Sequence, residues 1–239
     1  MENQKYIVII PTYNEKDNIK KLIEKLKKKN LHILVVDDNS PDNTAAEVKN
    51  LIIKFDSIYL LERSSKQGLG SAYRDGFKFA LDKGYEYLIQ MDADFSHTVE
   101  DLLIMINQSS EFDLVIGSRY IKGGATVGWS KSRELLSKTA NFYSRFLCGY
   151  KIYDSTSGFR IYSSNGLILN NYQKTKSDGY GFQIEMTFRS FIKGLKIIEV
   201  PIKFHERREG KSKMNRKIIF EAIFLVLRLR LSKNRLTTS

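Results

Sequence analysis

Residues 31–36 read Leu31-His32-Ile33-Leu34-Val35-Val36, apolar at every position but one. Successive side chains of a strand point to opposite faces, so a strand built from this run has no face left for water. It must lie in a sheet covered on both sides, the condition met by parallel sheets flanked by helices. Apolar runs at 6–10, 57–61, 85–91 and 114–117 repeat the strand signal. Between them, 14–29, 43–55, 70–83 and 99–108 read as helices, and Ile19, Leu22, Ile23 and Leu26 share one face of the first. This alternation predicts an α/β fold with a mostly parallel, doubly wound sheet and ligands at the C-terminal ends of its strands. The second half is less regular. Helices are expected at 132–147 and 181–193, and strands at 158–162 and 195–201. A last helix, 218–231, is apolar nearly all round, with Lys217, Glu221 and Arg228 as a narrow polar stripe.

A chain of 239 residues with 42% hydrophobic content can bury one sizeable core. Its single cysteine, Cys148, excludes an internal disulfide and points to a reducing compartment. The neighbours Phe146, Leu147 and Tyr150 predict a buried thiol, not a nucleophile. No leader peptide is expected, since a strand begins at Tyr6, and no segment reaches the ~18 apolar residues of a spanning helix. The net charge of +12 is concentrated late: residues 203–239 hold eleven Lys or Arg against three Glu. Such a segment suits phosphates, anionic lipid or nucleic acid, or is a solvated basic tail; charge alone does not choose.

Chemistry enters at the strand ends. The run at 85–91 is followed at once by Asp92 and Asp94. Carboxylate oxygens are hard donors for Mg²⁺ or Mn²⁺, ions often shared with substrate phosphates. The bland reading of so short a motif is an acidic loop, and three more loops weigh against it. Pro11-Thr12-Tyr13-Asn14-Glu15 follows the first strand, residues 37–44 (Asp37-Asp38-Asn39-Ser40-Pro41-Asp42-Asn43-Thr44) the second, and Gly117-Ser118-Arg119-Tyr120 a later one. Tyr13 is able to pack on a nucleobase. Asp38 is able to accept hydrogen bonds from a base or ribose, and the planar Arg119 cation suits phosphate. Taken singly, these loops also read as turns and helix caps, and Gly68-Leu69-Gly70 as a tight turn.

In this order and at these strand ends, the segments resemble the inverting family 2 glycosyltransferases of GT-A fold, and among them the dolichol-phosphate mannose synthase group. The match runs from about Tyr6 to Lys213. It also takes in Ser96 and His97, Gly128 and Trp129 with Arg133, Gly158-Phe159-Arg160, Phe182 and Gln183 with Glu185, and Arg207 with Gly210, Ser212 and Lys213. The resemblance implies a GT-A catalytic domain at 1–213, with a mixed, mostly parallel sheet flanked by helices, and a basic amphipathic helix and tail at 214–239. It implies that Pro11, Tyr13, Glu15, Val36 and Asp38 hold a nucleotide. Asp92, Ala93 and Asp94 would lie beside its diphosphate, with Asp94, aided by Asp92, binding Mg²⁺ or Mn²⁺. Arg119 and Arg133 would bind the acceptor phosphate, Gln183 and Glu185 would line the site from a helix, and Arg207 and Lys213 would close over the donor.

The implied reaction moves a hexose, with mannose from GDP-mannose favoured, onto a polyprenyl or dolichyl monophosphate in a membrane. A UDP-sugar donor, a polysaccharide acceptor and a separate membrane subunit stay open. The implied location is peripheral, on the cytoplasmic face of a membrane. Two departures stand out. Asn39 and Asn43 replace glycines common in the family, and asparagine is the residue that best tolerates a positive φ in their place. Lys211 stands before Ser212 where an acidic residue is common, which adds charge near the donor diphosphate.

A phosphate-monoester nucleophile has a second pKa of about 6, so it needs no strong general base. This accords with a chain of three histidines, of which His97 is expected to support the metal loop. The 218–231 helix is too short to span a bilayer and suits either the membrane interface or packing on the core. Nucleic acid is not expected as a partner, because the tail pairs its charge with aliphatic residues and not aromatic ones. A receiver-like domain, suggested by Asp37 and Asp38, leaves Asp92 and Asp94 unexplained.

Overall fold

A computed structural model describes residues 5–206 and 216–232. The element order is β1 (Tyr6–Thr12), α1 (Lys16–Lys27), β2 (His32–Asp37), α2 (Thr44–Ile52), β3 (Ile58–Glu62), α3 (Leu69–Asp82), β4 (Tyr87–Gln90), α4 (Val99–Gln108), β5 (Leu114–Ser118), β6 (Ala125–Val127), α5 (Lys131–Cys148), β7 (Arg160–Ser163), α6 (Ser164–Asn170), α7 (Gly179–Ile192), β8 (Ile197–Pro201), β9 (Lys203–His205) and α8 (Arg216–Leu231).

The apolar run that becomes β2 is paired in parallel with β1 on one side and β3 on the other. Its alternation divides the core. Ile33 and Val35 pack with Ile19, Leu22 and Leu26 of α1 and with Leu102 and Met105 of α4. Leu34 and Val36 pack on the opposite face with Tyr73 and Phe77 of α3 and Phe182 of α7. All four strand residues are fully buried, and each contributes roughly 1.5–3 kcal/mol by leaving water.

The sheet has seven strands in the order β3-β2-β1-β4-β7-β5-β8. Every pairing is parallel except those of β7, which runs antiparallel to both β4 and β5. The sheet is therefore mixed and mostly parallel, as the resemblance implied, and the strand alternation alone had pointed only to its parallel part. The reversal has a use: it brings the residues before β7 to the same edge as the residues after β1, β2, β4 and β5. A second, two-stranded sheet pairs β6 with β9. Neither strand was expected, since three residues are too few to show a period.

The loop after β2 caps the helix after β1. Ser40 Oγ accepts from Asn14 N, Thr44 Oγ1 from Glu15 N, and Asp42 Oδ2 from Lys16 N. Asn39 and Asn43 take φ values of 59° and 67°, the conformation expected where asparagine stands in for glycine. α8 packs against α5 and α7, burying Val226 and Leu229 in the core. Among the described residues, no helix is long and apolar enough to cross a membrane.

Candidate active site

A cavity of about 1000 Å³ opens at the C-terminal ends of β1, β2 and β4, where a parallel sheet receives its ligands. Pro11, Tyr13 and Glu15 line it from the end of β1, Asp38 from β2, and Asp92, Ala93 and Asp94 from β4. Gly158, ahead of β7, and Gln183 of α7 also line it, as do Phe224, Leu225 and Arg228 of α8.

The two adjacent aspartates after β2 have different tasks. Asp37 shapes the turn, accepting from Thr12 Oγ1 at 2.8 Å and from Ser40 N at 2.9 Å and Oγ at 2.6 Å. Asp38 lies on the cavity, and its Oδ1 accepts from Arg63 Nη1 at 2.6 Å. Its Oδ2 accepts from Gln67 N at 3.2 Å and Gly68 N at 3.1 Å. Arg63 is itself buried and also donates to Ser71 Oγ and Gln67 Oε1. The glycines of this loop serve a close approach: a Cβ on Gly70 would stand 2.7 Å from Ser177 O and 3.1 Å from the Phe182 ring. Gly70 N instead donates to Asp178 Oδ1.

Beyond β4, the loop turns at Phe95, with φ 61°. Ser96 donates to Asp94 Oδ1 through both its N, at 3.0 Å, and its Oγ, at 2.5 Å. His97 is buried, stacks on Phe159 with centroids 4.4 Å apart, and sets Nε2 3.6 Å from Asp92 Oδ2. Among the described residues no group of three or more His, Cys, Asp or Glu could hold a metal. Two hard carboxylates on an open cavity fit Mg²⁺ or Mn²⁺ whose remaining ligands are substrate oxygens and water. Below them the Tyr73 hydroxyl is pushed well above its ordinary range, by burial first and then by the Asp92 and Asp94 charges. The Gln183 side chain is buried with neither amide atom hydrogen-bonded among the described residues.

Arg119 and Arg133 meet at one ring. Their guanidinium carbons lie 5.3 and 3.9 Å from the Trp129 centroid. Arg119 is held by Asp154 through Nε–Oδ2 at 2.7 Å and Nη2–Oδ1 at 2.6 Å. Burial alone would lower the Arg119 pKa, but the Asp154 carboxylate outweighs it and raises the net value. Asp154 is fixed in turn by Glu199 of β8, which accepts from the backbone N of Tyr153 and of Asp154. Burial raises the Glu199 pKa. Arg133, at the start of α5, pairs with Glu206 at 2.9 Å.

The sequence matches the family described as Glycosyl transferase family 2 over residues 7–168. The chain belongs to that family. It is a glycosyltransferase. Its relatives include a polyprenol monophosphomannose synthase of Mycolicibacterium smegmatis, 44% identical over 93% of this chain and 86% of that one. An undecaprenyl-phosphate mannosyltransferase of Micrococcus luteus is 41% identical over 93% of this chain and 92% of that one. Among solved structures, a Pyrobaculum calidifontis mannosyltransferase in complex with GDP-Man and Mn²⁺ aligns with a TM-score of 0.59 at 15% identity, covering 96% of this chain and 73% of that one. S. aureus TarS residues 1–349 aligns at 0.60 and 17% identity, covering 97% and 69%. These likenesses show a GT-A-like fold.

In this glycosyltransferase, two residues expected at the site have other surroundings. The Val36 side chain is buried in the core beneath Gly76 of α3, because strand alternation turns it onto the face of the sheet that α3 covers. Glu185 does not line the cavity. Its Oε2 accepts from Lys176 N, Ser177 N and Ser177 Oγ, and its Oε1 from Arg189 Nε. It therefore holds the segment whose Lys176, Ser177 and Asp178 line the cavity. Arg207 and Lys213 lie outside the described residues. Arg63, Lys66, Asp154, Asp178 and Phe204 were not expected at the site. Each is a common residue type in a stretch without motif spacing, and only proximity to an expected residue singles it out.

Proposed function

We propose that this glycosyltransferase moves mannose from GDP-mannose onto a polyprenyl monophosphate with inversion at the anomeric carbon. The observation that carries the reading is the pair of guanidinium groups sharing the Trp129 ring, with the Asp92–Asp94 loop close by. Phe204 joins the two, with its ring 5.4 Å from Trp129 and 5.1 Å from His97. Two guanidinium groups next to a donor cavity, of which Arg133 is paired with the half-exposed Glu206, suit an acceptor that is itself an anion. The names of the two bacterial relatives support both the sugar and the lipid phosphate.

Asp94 and Asp92 would hold Mg²⁺ or Mn²⁺, which when bound neutralises charge on the donor diphosphate. Everything else falls to the chain's own residues. Tyr13 and Asp38 position the nucleotide, and Gln183 offers its unpaired amide to the donor. Arg119 and Arg133 hold the acceptor phosphate so that one of its oxygens faces the anomeric carbon. That oxygen is ionised near neutral pH, so no side chain must remove a proton. His97, buried between Phe159 and Phe204, stands beside Asp92 and packs the loop that carries it.

A membrane-borne acceptor also accounts for an exposed apolar stripe. Leu135, Phe142 and Phe146 of α5 are exposed, as are Phe224, Leu227 and Leu231 of the adjoining α8. Tyr143 Oη joins the helices by donating to Ile223 O, and Arg228 and Arg230 add positive charge. Such a surface suits peripheral binding to anionic lipid. We place it on the cytoplasmic face, in keeping with the lone thiol; a separate membrane subunit would compete for the same stripe. Replacing Phe142, Phe146 and Leu231 together by serine should abolish flotation with anionic liposomes, and undiminished flotation would remove the stripe from membrane binding.

The deciding experiment supplies labelled GDP-mannose, UDP-glucose or UDP-GlcNAc with a short polyprenyl phosphate and Mg²⁺ or Mn²⁺. Label should enter the lipid from GDP-mannose alone and be lost in Asp94→Ala. Transfer from another donor would overturn the sugar assignment, and absence of transfer from all three the acceptor assignment.

A further inference from the structure

α5 is exposed along much of its length, with Leu135, Phe142 and Phe146 facing outward, yet it carries a buried amide. Asn141 is 3% exposed and fully hydrogen-bonded. Its Nδ2 donates to Ser137 O and Thr156 Oγ1, both at 3.0 Å, and its Oδ1 accepts from Ser155 Oγ at 3.0 Å and Thr156 N at 3.2 Å. A primary amide has two N–H donors and two lone pairs, so nothing is left over for a ligand. One of these bonds stays within α5, and the others reach the loop ahead of β7.

Other residues fasten that loop to the sheet. Glu199 of β8 accepts from the backbone N of Tyr153 and of Asp154. Arg160 of β7, fully buried, donates to Ser155 O and Ser157 O at 2.7 Å each. Asn141 ties the same loop to α5, whose first turn carries Arg133. Thr156 is the meeting point. Its Oγ1 accepts from Arg119 Nη2 at 2.8 Å and from Asn141 Nδ2, and donates to Asp154 Oδ1 at 3.2 Å. Thr156 lines the donor cavity, but its hydroxyl has its one donor and two acceptor positions filled, so it holds side chains and not substrate. Resting on the acceptor-site assignment above, we propose that Asn141 is a positioning residue: acting through Thr156, it fixes the span between the Arg119 and Arg133 guanidinium groups. Arg119 is anchored to the sheet through Asp154, and Arg133 rides on α5. A single phosphate meets both only while helix and loop keep their register.

Transfer kinetics of the full chain with a short polyprenyl phosphate, beside calorimetric titration with GDP and Mg²⁺, test this. Asn141→Ala and Thr156→Val should each raise the acceptor KM by about tenfold, since a displacement of about 1 Å is costly at a reacting centre, and leave the GDP Kd within about twofold. Mere loss of folded protein would lower the apparent kcat and spare that KM. The double variant should show no more than the larger single effect, because both cuts fall on one path. Thr156→Ser, which keeps the hydroxyl, should restore the parent KM. A wild-type acceptor KM in Asn141→Ala, or single effects that multiply in the double variant, would overturn the proposal. If Asn141→Ala does not fold, Thr156→Val decides by itself: a wild-type acceptor KM overturns the link, and a raised one that serine restores supports it. Arg133→Ala runs alongside. An unaltered acceptor KM there would overturn the acceptor-site assignment itself, which separates that failure from a failure of Asn141 alone.

Discussion

The Phe204 ring stands edge-on to His97, with centroids 5.1 Å apart and planes at 80°. On its other contacts it meets Trp129 at 5.4 Å and the Arg119 guanidinium at 5.4 Å. The backbone runs the same way, because the next residue, His205, donates its N–H to Ser96 O in the loop that carries Asp94. Phe204 thus spaces the acceptor arginines from the aspartate loop. Phe204→Leu keeps the burial but loses the ring. It should lower kcat and raise the acceptor KM by about tenfold each, a small displacement being costly at a reacting centre, while donor Kd stays unchanged. Phe204→Tyr should restore most of the activity. A Leu variant with wild-type acceptor kinetics would deny the spacing role.

Arg63 and Asp38 form a pair with side chains 4% and 8% exposed. Removing the cation alone leaves a carboxylate buried with only its two backbone donors. Arg63→Met should therefore destabilise the fold by on the order of 3 kcal/mol and weaken nucleotide binding with it. Urea denaturation of the variant beside the parent measures the first effect, and titration with GDP the second.

Arg119 and Arg133 share Trp129 but differ in what they leave behind. Arg119→Ala strands Asp154, which is fully buried, and should cost about 3–5 kcal/mol of stability. Arg133→Ala breaks a pair whose Glu206 partner is half exposed, so the expected stability loss is under about 1 kcal/mol. Its acceptor KM should rise at least about tenfold, the loss of one charged hydrogen bond to phosphate, with donor binding intact. Thermal unfolding and acceptor titration separate the two arginines, and an unaltered acceptor KM in Arg133→Ala would remove that residue from the site.

Burial pushes the Cys148 thiol up from 9.0 to about 11. The native state then holds this proton more tightly than the unfolded chain. The associated stability is fully present below pH 9 and is lost as pH climbs from 9 towards 11. Cys148→Ala should flatten the first part of the alkaline decline measured by denaturant titration. In the native protein at pH 8 the thiol should resist iodoacetamide, and it should react once urea unfolds the chain; rapid native alkylation would contradict its burial.

The layers of this fold and its cavity-bearing edge were legible in the sequence, because both rest on local periodicity. The apolar run at 31–36 requires a covered strand wherever it goes. The parallel order that follows leaves the loops bearing Tyr13, Asp38 and Asp94 at one edge. The departures at Asn39 and Asn43 were legible for the same reason, since φ is a property of one residue. The antiparallel insertion of β7 was not, because strand direction depends on where a long connection re-enters the sheet. Side-chain partners were also hidden. Asp154 lies 35 residues from Arg119 and Arg63 lies 25 from Asp38, and nothing in either segment marks one for the other. Val36 and Glu185 show the reverse: both belong to segments that reach the site, yet strand alternation turns one into the core and the other is drawn to the backbone at 176–177. Sequence by itself determined which loops gather at the catalytic edge. Tertiary packing decided which of their side chains remain available to a ligand, since a buried charge must first be satisfied by its neighbours.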